Sequence, residues 1–80
     1  MIRYQDRDGE IFEGRDAVDV VDQLRLASKT GRGQTSATFM KAYARRAGMM
    51  AGHDIRTATE ARFVEDLVAA GLLTAIADQQ

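Results

Sequence analysis

Lys41 and Arg45 are spaced one helical turn apart and Arg46 is adjacent, so a helix over this segment presents two or three cations on one side. Arg32 adds a fourth cation in the glycine-containing stretch just upstream. Guanidinium groups hold carboxylates or phosphates through two parallel hydrogen bonds, so the cluster suits an acidic protein surface or a nucleic-acid backbone. Glu13, Asp16, Asp19 and Asp22 recur at every third position and form the opposite pattern, an acidic strip that can meet a basic groove or imitate a row of phosphates. Asp19 and Asp22 fall on the outward side of the helix that carries them. Ordinary solvated helix faces also look like this, and both readings stay open. His53 next to Asp54 has the makings of an oriented general base. With no second histidine and no cysteine, Asp54 alone cannot complete a metal shell, and the better reading is a solvated turn histidine. Ser28-Lys29-Thr30-Gly31-Arg32-Gly33 resembles a phosphate loop only with its order reversed and after a helix in place of a strand, which makes it an interhelical loop. Ser28 and Ser36 sit on no nucleophile elbow. The expectation is a chain with no catalytic residue, no metal and no cofactor, whose partner-binding candidates are Lys41, Arg45, Arg46, Arg32, Asp19 and Asp22.

The elements that must position these groups follow from periodicity. Ile2 to Asp6 and Glu10 to Gly14 read as two strands around an Arg7-Asp8-Gly9 turn with Gly9 left-handed. Pairing Asp6 with Glu10 sets Tyr4 opposite Phe12 and Arg3 opposite Glu13, with Ile11 left on the polar face beside Gln5. Asp16 caps a helix from about Ala17 to Ser28 with Ala17, Val20, Val21, Leu24 and Ala27 inward. Lys29 to Gln34 is expected to be a mobile basic loop. Thr35 or Ser36 starts a second helix, Ala37 to Ala47, with Phe39, Met40, Tyr43, Ala44 and Ala47 inward. A break from Gly48 to Asp54 follows, in which Met49 and Met50 fill core space and Ile55 plugs the core in extended conformation. Thr57-Ala58-Thr59-Glu60 matches a capping box for a third helix to about Ala70, stopped by Gly71. Leu72 to Ile76 is either a third strand or a frayed tail.

The chain has 80 residues, 45% hydrophobic and 29% charged, which fits one small globular domain over 1–80 and not a disordered segment. The fold class expected is α+β, an N-terminal β-hairpin, with a C-terminal strand as a possible addition, packed on three α-helices. Absence of cysteine removes disulfide staples and fits a reducing cytoplasm. Charges interrupt every apolar run well short of a signal-peptide core or a bilayer span, so neither secretion by that route nor a membrane partner is expected. The net charge of −1 hides a division. Seven acids oppose four arginines in residues 1–28, six cations oppose Asp54 in residues 29–56, and four acids oppose Arg62 in residues 57–80. A helix-turn-helix is disfavoured, because the gap between the second and third helices is about ten residues where that motif turns in about three or four.

The Gly9-turned hairpin, the Gly14-led helix, the Tyr43-Ala-Arg-Arg46 helix, Ile55-Arg56-Thr57 and the run Glu60, Phe63, Leu67, Gly71, Leu72, Leu73 together resemble small proteins of bacteriophages and mobile elements. In size and texture the chain is similar to the anti-CRISPR proteins, which block bacterial CRISPR-Cas surveillance complexes. That resemblance implies a stoichiometric, non-catalytic inhibitor whose partner is a type I CRISPR-Cas surveillance complex in a bacterial host cytoplasm. It transfers no residue roles, since the group shares no common signature. The rival expectation is a small DNA-binding regulator that uses the basic second helix; oligomeric state is left open.

Overall fold

The computed structural model describes residues 1–76. In chain order it contains β1 (Ile2–Asp6), β2 (Ile11–Gly14), α1 (Ala17–Ala27), a single 3-10 turn (Gly31–Gly33), α2 (Ser36–Ala51), α3 (Glu60–Ala69) and β3 (Leu73–Ile76). β1 is the central strand of an antiparallel sheet in the order β2-β1-β3, so the expected hairpin is joined by the C-terminal strand. The α+β class stands.

The hairpin adopts the register that its residues dictate: Arg3 pairs with Glu13, Tyr4 with Phe12 and Gln5 with Ile11. Arg3 Nε donates to Glu13 Oε2 at 2.8 Å on the outer face, while Phe12 is buried on the inner one. Gly9 has φ +88° at the turn, and Asp6 Oδ1 accepts from the amides of Asp8 and Glu10 there. β3 then adds Leu73 to the core, in register Arg3 with Ile76 and Asp6 with Leu73.

Gly14 fixes how the hairpin meets α1. A Cβ there would overlap Asp19 Cβ, so only glycine lets the first turn of the helix approach this closely. Asp16 caps the helix by accepting from the Asp19 amide, and Val20 and Val21 are fully buried. Ala27, expected inward, is exposed.

The core joins Phe12, Val20, Val21, Phe39, Phe63 and Leu67 with other apolar side chains from every helix and from the sheet. Phe63 receives Tyr43 edge-on at a centroid distance of 5.6 Å and Phe39 at 6.4 Å, a geometry that aligns ring edges with ring faces. Ile55 is buried outside any helix or strand, as expected.

Other details also depart from what the sequence predicts. The Lys29–Gln34 segment is tied down: Arg25 Nη1 donates to the carbonyls of Gly31 and Gln34, and Gly31 is buried against Arg25 and Ser28. Helix α2 runs on through Gly48 to Ala51 and stops at Gly52, φ +71°. An interior glycine costs only about 1 kcal/mol, so Gly48 does not break the helix, and the left-handed Gly52 does. As a consequence Met49 and Met50 are 76% and 86% exposed and fill no core space. The third helix begins with Thr59 as its cap, accepting from the Arg62 amide, and not with Thr57. Arg56 explains the delay: its amide and guanidinium both donate to Asp66 at 2.8 Å, which holds the chain before the helix alongside α3. At the other end Gly71, φ +77°, and Leu72 donate to the carbonyls of Val68 and Leu67, the pair of bonds that closes a helix through a left-handed residue.

Candidate functional site

Helix α2 is anchored by Phe39 and Met40 and turns its other side to solvent. Lys41 and Arg45 lie there, exposed, and neither makes a hydrogen bond or ion pair among the described residues. Arg46 is exposed on the flank, with its guanidinium carbon 5.9 Å from the Tyr43 ring centroid. Lys41 and Arg45 share the outer side of α2, one turn apart, while Arg46 turns toward Tyr43.

Arg32 is not part of that group. Its Nε donates to the Leu26 carbonyl at 3.0 Å, so it closes the end of α1. Asp19 and Asp22 also have internal work. Asp19 Oδ2 accepts from the Arg15 amide and from Arg15 Nε, and those two hydrogen bonds, the amide first, hold its carboxyl below the usual carboxylate range. Asp22 accepts from the Ser36 hydroxyl at 3.0 Å and lies 3.6 Å from Arg25 Nη2, which binds α1 to the start of α2. Glu13 pairs with Arg3 and Asp16 caps α1, so each acid of the strip serves the fold.

The sequence reading did not find an apolar notch of about 270 Å³ at the C-terminal end of α2. Tyr43, Ala47, Met50 and Leu72 line it, with Arg46 and His53 also in its wall. Reading Gly52 as the helix stop was the available signal, because it puts Met50 on the same side as Tyr43 and Ala47, past the point where the core ends. Tyr43 and Arg46 are shared with a second cleft, of about 260 Å³, that also contacts Asp6, Asp8 and Glu10 of the hairpin turn. Burial raises the Tyr43 hydroxyl above its ordinary value, and the nearby Arg46 charge opposes that shift.

His53 and Asp54 make no hydrogen bond with each other among the described residues. No group of three or more metal-binding side chains occurs among the described residues. Among the described residues no helix is long and apolar enough to cross a membrane.

The chain matches no protein-family model, no curated protein and no solved structure.

Proposed function

We propose that this domain is a stoichiometric protein-binding inhibitor that presents the outer side of α2 to its target, a type I CRISPR-Cas surveillance complex. One observation carries the choice of surface: Lys41 and Arg45 are exposed and without a partner among the described residues, while Glu13, Asp16, Asp19 and Asp22 of the acidic strip are engaged within the fold. Unpaired cations fixed on a rigid helix leave their full charge for an incoming carboxylate, which speeds encounter and sets orientation. The identity of the target rests on the resemblance of the whole chain to anti-CRISPR proteins. Inhibition is then steric, with no chemical step and no cofactor.

A Lys41→Glu, Arg45→Glu, Arg46→Glu triple variant tests the reading when thermal melting and capture of a purified type I surveillance complex are measured together. Exposed substitutions change stability by about 0.5 kcal/mol or less each, so the melt should stay near that of the parent. Capture should be lost, because truncating a desolvated charge pair costs about 2–5 kcal/mol. Undiminished capture rules out this surface. Tight, sequence-selective and salt-dependent retardation of duplex DNA by the isolated protein turns the same cations into those of a DNA-binding regulator.

A further inference from the structure

We infer that Met49 extends the cationic row of α2 into a mixed binding face, which takes a protein segment that carries two carboxylates and an apolar side chain in one row. The inference rests on the protein-binding reading above and adds what that partner must present. Helical spacing supplies the geometry. Lys41, Arg45 and Met49 follow one another at four-residue intervals, so they share the side of α2 turned away from Phe39 and Met40. Measured along the helix axis, Arg45 stands about 6 Å from Lys41 and Met49 about 12 Å from it. All three are exposed, Met49 by 76%. Helix α2 contains no acidic residue to occupy the two cations from within the row.

The last turn of α2 is what puts Met49 there. Gly48 does not end the helix, and the turn beyond it is closed by hydrogen bonds from the Gly52 amide to the Gly48 carbonyl at 3.1 Å and from the His53 amide to the Ala47 carbonyl at 3.3 Å. Met49 is therefore held in line with Arg45. Its neighbour Met50 points elsewhere, into the wall of the notch with Tyr43 and Ala47.

The apolar end of the row selects between the two partners that cations alone admit. A phosphate backbone offers charge at every step and nothing for a thioether to cover, so a row built for it gains from a third cation and not from a methionine. A protein surface mixes carboxylates with apolar side chains, and arginine and methionine are both enriched where proteins meet. Methionine also adjusts its shape to the side chain it covers.

The test uses the whole chain and a synthetic helical peptide with two glutamates four residues apart and a leucine four residues further along the same face. Two variants separate charge from apolar contact. Met49→Gln removes the apolar contact at constant charge, and Met49→Lys adds a third cation to the row; both residues are good helix formers, so the last turn is kept. Each should weaken peptide binding about ten-fold, the order expected for losing one buried apolar side chain. In the parent the Met49 methyl NMR signal should shift saturably while Met40, only 3% exposed, stays still. No peptide binding, tighter binding by Met49→Lys, or unchanged binding by Met49→Gln overturns the inference. So does duplex DNA that binds the parent more tightly than the peptide does and Met49→Lys more tightly still. Capture of the type I surveillance complex that is lost in Lys41→Glu, Arg45→Glu but unchanged in Met49→Gln removes Met49 from the interface and leaves the proposed function standing. Peptide binding with the expected Met49 response, in a protein that captures no type I complex, removes that target and leaves the inference standing.

Discussion

The Arg46 guanidinium lies over the Tyr43 ring, with its central carbon 5.9 Å from the centroid, and Tyr43 in turn meets Phe63 edge-on in the core. A surface cation is thereby connected to the packed interior through one phenol. Such a contact at an exposed site contributes about 0.5–1 kcal/mol, so Arg46→Met should lower the melting temperature slightly. It should also raise the Tyr43 hydroxyl further, because the cation that opposes the effect of burial is removed. Ultraviolet titration in a Tyr4→Phe background isolates this phenol, and an unchanged midpoint would mean that the charge is too well screened to act.

Asp66 should make stability fall in acid. Its side-chain hydrogen bonds from Arg56, followed by the bond from the Arg56 amide, hold its carboxyl at about 2, down from an ordinary 3.8. A depressed folded value means that the stabilisation is fully present above 3.8 and drains away as pH falls toward about 2. Replacing Asp66 with Asn should lower the melting temperature at neutral pH and flatten its slope across that window. An equally steep slope in Asp66→Asn would assign the acid sensitivity to other carboxylates.

Gly31 and Gly33 should respond oppositely to alanine. A Cβ at Gly31 would overlap the Arg25 carbonyl oxygen, while one at Gly33 meets nothing within 4 Å. Overpacking of this kind costs about 1–3 kcal/mol, whereas a strain-free Gly→Ala replacement gains about 0.4–1 kcal/mol by restricting the unfolded chain. Denaturant melts of the two variants decide the matter; equal effects would mean that the loop is not held against α1.

Asp22→Ala should be felt by the fold before it is felt by any partner. It removes the acceptor of the Ser36 hydroxyl and the charge beside Arg25, and a lost hydrogen bond of this type costs about 0.5–1.5 kcal/mol. Lys41→Ala should be neutral by comparison, as nothing described contacts its charge. Paired thermal melts of the two check this, and an Asp22→Ala protein as stable as the parent would restore Asp22 to the candidate surface.

Much of the fold was legible because it is set by local rules. Alternation placed Tyr4 against Phe12 and Arg3 against Glu13, and Asp16 and Gly71 announced a helix start and a helix stop. Misreadings arose where a distant group overrode the local signal. Thr57 to Glu60 carries a sound capping pattern, but the bonds from Arg56 to Asp66 delay the helix to Thr59. Two glycines suggested a loose loop, yet Arg25 reaches across to hold it. For the candidate surface, spacing alone put Lys41 and Arg45 on one side of α2, because one helix suffices. The pairing of Asp19 with Arg15 and of Asp22 with Arg25 follows from helical spacing and was open to the same local rules, whereas the bond from Ser36 to Asp22 depends on how α1 meets α2. The exposed Met49 and Met50 were hidden by treating Gly48 as a break.

The placement of β1 between β2 and β3 has a kinetic consequence. Its hairpin partner is supplied by the next few residues, but its other neighbour, pairing Arg3 with Ile76, comes from almost the far end of the chain. Closing so long a loop adds little to the equilibrium cost, since each doubling of length adds about 0.6 kcal/mol. It does order events in time: as the chain emerges from the ribosome, the free edge of β1 has no partner until β3 has been made. During that interval the unpaired amides and carbonyls of β1 can recruit a stray strand, and the speed of late docking governs how much of the nascent protein escapes that fate.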